Sequence, residues 1–398
     1  MRVLHINKFA WPKGGSDIYA LRLASFQATL NKWPTAIFGA SPDYSFDVEY
    51  FPVEVPDFHA AKSPINRVRA AGNVLWARKV SSSLEKVLNE FKPDIVHLHS
   101  YAHQLSPSII GLLRKQNVPT VMTSHDYKLI CPSYTAVRDG HDCFDCAVRL
   151  SLLPIKARCL NGNVQWSTVA LAESAFVRRT GLFPRHIIAP SAFMQEKLKS
   201  SWLSKQAETY LVRNPSEPSG ISWHGSGGYL LYVGRLSKEK GIDSLIEAAS
   251  KIGVQLRIAG DGPYLPELTA LVADLKDSNV DFLGRLNESE LAVERAACLA
   301  QVLPSAWPEN APLAALEAAM DGVPLIVSDR GGLPEILQLG LKGAVMESCS
   351  PTGLADAINK VQSSSSNNLS ELQDSFGWSH HLGEIETVYM TVLAGKIW

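Results

Sequence analysis

Two glutamates stand in the segment PSAWPENAPLAALEAAMDGVPLIVSD, residues 304–329, with the spacing Glu309-x7-Glu317. A carboxylate can take a pair of vicinal hydroxyls as a bidentate acceptor, which a donor-only lysine cannot do. Pro312 suits a first helical position, and Gly322 with Pro324 suits the end of that helix. Glu309 then falls in the preceding loop and Glu317 about a turn and a half inside the helix. Glu317 is placed to hold the hydroxyls of a ribose and Glu309 those of an attached sugar, while the amides of Asn310, Ala311, Pro312-Leu313 face a phosphate. A plain acid offsetting a helix dipole accounts for one glutamate but not for the WPENAP loop.

Two cations, Arg235 and Lys240, flank a turn in YVGRLSKEKG, residues 232–241. Arginine offers a planar fork, lysine a point charge, and the following helix start adds N–H donors, a set that suits a diphosphate. Solvated loop charges are the plainer alternative. In SHDYKLICP, residues 124–132, His125 ends a buried-type strand and can donate to a sugar hydroxyl or move a proton. Asp126 beside it can orient the ring or touch an acceptor. Four cysteines follow as C-x11-C-x2-C-x12-C: Cys131, Cys143, Cys146 and Cys159. Structural zinc, free or redox-active thiols and an iron–sulfur cluster all fit that spacing. Four thiolates leave no open position for catalysis.

These residues need a scaffold, and the pattern supplies one. Short β-branched runs at 3–6, 35–40, 94–100, 118–126 and 186–191 alternate with helical stretches at 17–31, 65–91 and 192–200. The second half repeats the scheme, with strands at 228–236, 254–263, 279–286, 301–306 and 324–329 and helices at 240–252, 264–276, 288–299 and 312–321. Such alternation gives mostly parallel sheets covered on both faces, with ligands beyond the carboxyl ends of the strands. The turn-rich run NPSEPSG, residues 214–220, marks the boundary. The expected organisation is an acceptor-binding domain over 1–213, with a cysteine-rich insert at about 128–162, and a nucleotide-sugar domain over 214–375. A polar loop is expected at 363–368, and residues 376–398 are an amphipathic segment packing back on the first domain.

Charge is near zero overall but divided, with +10 through Arg213 and −11 after it. That split points either to an anionic partner of the first half, such as a membrane surface or lipid-linked phosphate, or to attraction between the halves. The apolar stretch 164–183 with Arg178, Arg179 and Arg185 could rest on anionic lipid or simply pack in its domain. No apolar run nears the roughly 20 residues of a membrane span, and the start MRVLHINKFAWPKGG lacks a signal-peptide pattern. A cytoplasmic protein, soluble or peripheral on the inner face of a membrane, is expected, with no nucleic-acid partner.

YVGRLSKEKG, IAGDGP, the Glu309-x7-Glu317 pair and SDRGGLPEI resemble glycosyltransferase family 4, and the resemblance covers essentially the whole chain. It implies a GT-B fold, two Rossmann-like α/β domains facing a central cleft, and a retaining transferase that needs no catalytic metal. Arg235 and Lys240 would neutralise the leaving nucleoside diphosphate of a UDP- or GDP-sugar. Glu317 would bind ribose and Glu309 the sugar, with Asn310, Ala311 and Pro312 as the close loop. The base would lie near Gly260 and the backbone of Gly284, Arg285 and Leu286. Gly14 and Gly15 match a Gly-Gly turn that approaches phosphates, with the shorter Asp17 where the family has glutamate. His125 would face the donor sugar, and the acceptor would be a saccharide or lipid-linked saccharide. Members with a similar HDY…CP…CxxC…C insert make chance an inferior account of the cysteines. A nucleotide-sugar epimerase of related fold and a non-catalytic sugar-nucleotide-binding subunit are the competing readings.

Overall fold

The computed structural model describes residues 1–40, 47–55, 72–276, 279–363 and 369–395. The chain forms two compact units. One comprises Met1–Arg138, Cys143–Val212 and Leu382–Trp398, the other Asp139–Asp142 and Arg213–His381.

The first unit is built on seven parallel strands: β1 (Val3–Phe9), β2 (Thr35–Ala40), β3 (Glu49–Pro52), β4 (Ile95–Leu98), β5 (Thr120–Thr123), β8 (His186–Ala189) and β9 (Glu208–Leu211), in the order β3-β2-β1-β4-β5-β8-β9. Its inner strands are buried along their length because helices cover both faces, which is why they read as unbroken apolar runs. A two-residue hairpin, β6 (Val137–Arg138) with β7 (His141–Asp142), interrupts the chain in the cysteine-rich insert.

The second unit has six parallel strands: β10 (Leu230–Val233), β11 (Leu256–Ala259), β12 (Val280–Gly284), β13 (Ala300–Leu303), β14 (Leu325–Ser328) and β15 (Gly343–Met346), in the order β12-β11-β10-β13-β14-β15. Two apolar clusters form its core. One holds Leu230, Ile246 and Ile258, the other Leu231, Leu316 and Val327, so β10 feeds both layers through alternate residues. In each sheet the strand order reverses beside the first strand, between β1 and β4 and between β10 and β13. A crevice opens beyond the carboxyl ends at such a switch point.

Several sequence expectations shift in detail. The helix expected at 312–321 runs Leu313–Met320, and Pro312 is its N-cap with extended backbone, not its first helical residue. Lys240 closes a short 3-10 turn, Lys238–Lys240, before the helix Ile242–Ile252. Of the stretch 65–91, the part up to residue 71 lies outside the described residues and Arg78–Phe91 is a helix. The loop at 364–368 also lies outside them. The final helix, Trp378–Gly395, belongs to the first unit from Leu382 onward. No described helix is long and apolar enough to cross a membrane.

Candidate functional site

In the second unit, the loops after β10 and β13 meet at the switch point. Lys240 Nζ lies 2.6 Å from Glu309 Oε1, and Ser305 Oγ donates to the same oxygen at 2.5 Å. The two loops are also pinned by backbone, Ala306 N–H to the Glu239 carbonyl at 2.9 Å. The Glu309 side chain is only 6% exposed against 21% for Lys240. Burying a carboxylate costs hydration that such partners offset, so the lysine is part of what keeps the glutamate in place. The backbone of Glu309 is gripped separately. Gly332 N–H donates to its carbonyl at 2.6 Å, and a side chain on Gly331 (φ 62°) would put a Cβ 2.1 Å from that oxygen. The SDRGG loop after β14 is therefore a clamp on the glutamate loop.

Glu317 projects from the helix Leu313–Met320 and meets Arg295 of the helix Glu288–Ala297, Nη2 to Oε2 at 2.5 Å. Arg295 is buried, and its Nε donates to Gln301 Oε1 at 3.2 Å, while Gln301 Nε2 donates to the Ala314 carbonyl at 2.7 Å. Glu317 keeps a third of its side chain exposed. One carboxylate oxygen is thus fixed by the arginine while the side chain stays partly open to solvent.

The remaining predicted residues of this unit lie at the ends of, or in the loops after, β10, β11, β12 and β13. Arg235 is exposed just after β10, and its carbonyl accepts the Tyr232 hydroxyl at 3.0 Å. Asn310 is buried, and Ala311 accepts from Asn214 Nδ2 at 3.0 Å. Pro312 and Leu313 lead into the helix. Gly260 bonds Gly284 through backbone at 2.7 Å, and a Cβ on Gly260 would lie 1.9 Å from the Gly234 carbonyl, so only glycine allows those turns to touch. Gly284 ends β12, with Arg285 exposed and Leu286 half-buried beyond it. Lys240 Nζ also sits 5.2 Å from the Trp307 ring.

In the first unit, Gly14 caps the helix Gly15–Thr29, whose start lies just beyond β1. Asp17 does not face outward. Its buried carboxylate accepts from Asn7 Nδ2 at 2.8 Å, and burial pushes its pKa up against that hydrogen bond. It serves the turn rather than a ligand. Asp126 is half-buried, and its Oδ1 accepts Lys128 N–H at 2.9 Å within a turn. It does not orient His125; His99 does, through a ring-to-ring contact of 3.2 Å. Burial pushes His125 down to about 3, so the imidazole is neutral at pH 7.

The sulfurs of Cys131, Cys143, Cys146 and Cys159 are gathered in the insert, every pair close enough to interact electrostatically. Burial first, then the other thiols, pushes Cys146 up to about 12; burial first also raises Cys143, ahead of the Asp145 charge, and Cys159, ahead of the neighbouring thiols. Tight turns with left-handed backbone at Tyr134, Ala136, Asp139 and Arg158 bring these segments together. Among the described residues the group of three ligand atoms within 4.8 Å of one another is His5, His97 and His99, so the sulfurs are more widely set.

The helix Val164–Thr180 buries Ser167, Ala170 and Glu173, and Arg179 near its end is exposed. Arg178 donates to the Cys146 carbonyl and covers Trp202 at 4.9 Å, and Arg185 donates to the Gln206 carbonyl at 2.8 Å. Of the three arginines set against lipid by the sequence reading, two are engaged internally.

The sequence reading missed Arg295, Ser305, Gln27 and the histidines of β1 and β4. His5 and His97 are Cα partners across parallel strands, and His97 and His99 share a face. Repeated imidazoles on one face of apolar strands are the signal that could have found them.

Residues 13–216 match Glycosyltransferase Family 4, and residues 220–377 match Glycosyl transferases group 1. A glycogen synthase of Mycobacterium tuberculosis (strain ATCC 25618 / H37Rv) is 30% identical over 288 residues, 68% of this chain and 60% of that protein. A GDP-mannose-dependent alpha-mannosyltransferase of Corynebacterium glutamicum is 24% identical over 67% of this chain and 58% of that protein. The chain thus spans 60% of the length of the glycogen synthase it matches. Among solved structures, sucrose-phosphate synthase from Thermosynechococcus elongatus shares the fold at a TM-score of 0.74 and 20% identity, over 99% of this chain and 100% of that one. The expected pair of Rossmann-like α/β domains is borne out, and with half of the chain matched by a single family, the protein belongs to glycosyltransferase family 4.

Proposed function

We propose that the protein transfers a sugar, with retention, from a nucleoside-diphosphate sugar to a saccharide or lipid-linked saccharide acceptor. The observation that carries this reading is the joined loop pair at the β10/β13 switch point, Lys240 on Glu309, with Glu317 held by Arg295 nearby. Breaking a glycosyl phosphate leaves negative charge on the diphosphate. Lys240, Arg235 and the amide N–H groups of Asn310, Ala311 and Leu313 at the helix start are fixed positive groups that stabilise that charge where it develops. Glu317 takes the ribose hydroxyls and Glu309 those of the sugar. The base lies along the turns of Gly260 and Gly284. Attack on the same face as departure, with the departing phosphate accepting the proton, needs no enzyme nucleophile; Asp126, the carboxylate next to His125, is occupied in its own turn. His125 of the first unit bonds a saccharide hydroxyl.

Related proteins support the donor class. One structure of the same fold, Anabaena Alr3699/HepE at a TM-score of 0.65, is a complex with UDP-glucose, and the mannosyltransferase relative uses GDP-mannose. The excess positive charge through Arg213 favours an acceptor that carries phosphate, such as a lipid-linked saccharide at an anionic membrane surface. The test is incubation with labelled UDP- and GDP-sugars. Slow release of free sugar of retained configuration, unchanged by added Mg²⁺, is expected. Epimerised donor, or binding without turnover, would instead identify an epimerase or a non-catalytic subunit.

We further propose that the four gathered thiols hold one structural metal, zinc being the ion their number suits. A divalent ion reverses the mutual disfavour of four thiolates, and drawing the sulfurs inward to about 2.3 Å from a common centre would stiffen the insert. One zinc per chain by elemental analysis, lost in Cys146→Ser, is the expected result. A metal-free native protein with four alkylatable thiols would remove the idea.

A further inference from the structure

The first sheet carries a chain of hydrogen bonds that runs through four imidazoles. His5 Nε2 lies 2.9 Å from Gln27 Oε1, and His5 Nδ1 lies 3.0 Å from His99 Nε2. His99 Nδ1 lies 3.2 Å from His125 Nε2. A second arm leaves the same amide. Gln27 Nε2 donates to the Tyr389 hydroxyl at 3.2 Å, Tyr389 reaches His97 Nδ1 at 2.6 Å, and His97 Nε2 lies 2.8 Å from Thr123 Oγ1. Gln27, His5, His97, His99 and Tyr389 are buried, and His125 alone is partly exposed at the carboxyl end of β5.

The three innermost histidines do not make a metal site, although their nitrogens lie within 4.8 Å of one another. Ligands must converge on one point, whereas His97 and His99 stack face to face at 4.4 Å and 19°. The nitrogens of His5, His97 and His99 are already used in the bonds above.

Burial holds His5 near 4 and His99 well below its ordinary value, so these rings are neutral at pH 7. A neutral imidazole has one N–H and one bare nitrogen, so each bond fixes the next. The amide is the asymmetric pivot. Its oxygen can only accept, so His5 carries its proton on Nε2 and is bare at Nδ1. His99 must then donate from Nε2 and be bare at Nδ1, and His125 must donate from Nε2. The other arm runs outward from the amide nitrogen: Tyr389 donates to His97 Nδ1, and His97 donates from Nε2 to Thr123. Among the described residues no partner takes His125 Nδ1.

We propose that Gln27 is a positioning residue that, through His5 and His99, fixes His125 as the Nε2–H tautomer and leaves Nδ1 bare to accept a hydrogen bond from a saccharide hydroxyl. The last clause rests on the glycosyl-transfer reading; the tautomer does not. A hydroxyl is the ligand such a nitrogen selects, because a group with no proton to give finds no bond there.

Nitrogen-15 NMR of histidine-labelled protein without substrate reads the tautomers directly. His125, His99 and His5 are expected as Nε2–H and bare at Nδ1. In Gln27→Glu the carboxylate still accepts from His5, so His125 keeps its tautomer. The carboxylate has no proton for Tyr389, which turns to donate to it, so His97 switches to Nδ1–H. In Gln27→Met both arms lose their pivot, His125 becomes a tautomer mixture, and kcat falls about tenfold, with recovery in Gln27→Glu; a misplaced proton on a catalytic imidazole acts in this way. Wild-type His125 found with its proton on Nδ1, or a Gln27→Met spectrum identical to wild type, overturns the proposal. The expected spectra in a protein that turns over no nucleotide sugar would uphold the relay and contradict only the reading of the reaction.

Discussion

Lys240→Ala is expected to lower kcat about a hundredfold at saturating donor, equivalent to about 2.7 kcal/mol of lost transition-state stabilisation. Two separate losses combine in that figure. On the proposed reading, the leaving diphosphate loses a fixed point charge at the switch point. Glu309, whose side chain is 6% exposed, loses its 2.6 Å partner and keeps only the Ser305 hydroxyl. The two losses can be told apart. Glu309→Gln keeps a polar group near Ser305 while removing the charge that Lys240 answers. A double-mutant cycle over Lys240→Ala and Glu309→Gln should be strongly non-additive, because each single change disables the same bridge. Steady-state kinetics with thermal unfolding as a folding control measure this. Full turnover in Lys240→Ala would remove the assigned pocket.

Arg295→Met is expected to raise the donor KM about tenfold with a smaller change in kcat, and to lower the unfolding temperature. Arg295 meets Glu317 at 2.5 Å and is buried against Gln301. Removing one member of a buried pair costs about 3–5 kcal/mol, because the other is left uncompensated. The partner here is partly exposed, so the lower end applies, which for a unit of this size corresponds to roughly 6–12 °C. The kinetic effect follows from the proposed ribose role: without the guanidinium, Glu317 loses the 2.5 Å contact that fixes its orientation. A hydroxyl pair is bound equally before and in the transition state, so the loss shows mainly in KM. Differential scanning fluorimetry with donor titration measures both. An unchanged KM would mean that Glu317 does not hold the nucleoside.

Much of this architecture was legible because buried parallel strands are apolar along their whole length. TAIFGA was read at 35–40, where β2 lies. The four-residue edge strands Glu49–Pro52 and Glu208–Leu211 were not seen, since EYFP and ETYL mix exposed and half-buried positions and carry no run. Within the donor loops, Lys240 and Glu309 stood out because their motifs are dense with glycine, proline and charge. Arg295 did not. In ELAVERAACLA it looks like one more solvated helix charge, and its partner lies 22 residues further on. Gln27 is the same case, a polar residue in a helix whose meaning depends on strands 22 positions earlier and a tyrosine 362 positions later. Pairings of that range are settled by the tertiary fold, which local pattern does not encode.

The last helix has a bearing on how members of this family can be recombined. Tyr389, near the C-terminus, supplies the hydroxyl that links the amide of Gln27 to His97, while residues up to His381 belong with the other unit. Neither unit is therefore one uninterrupted stretch of gene. A chimera joined only at the linker near Pro215 would graft a foreign tail into a native sheet and leave its buried imidazoles facing an ill-matched phenol. Exchange of the donor half should succeed only when the recipient keeps its own closing segment, so the natural crossover points are two, and the second lies within the final helix.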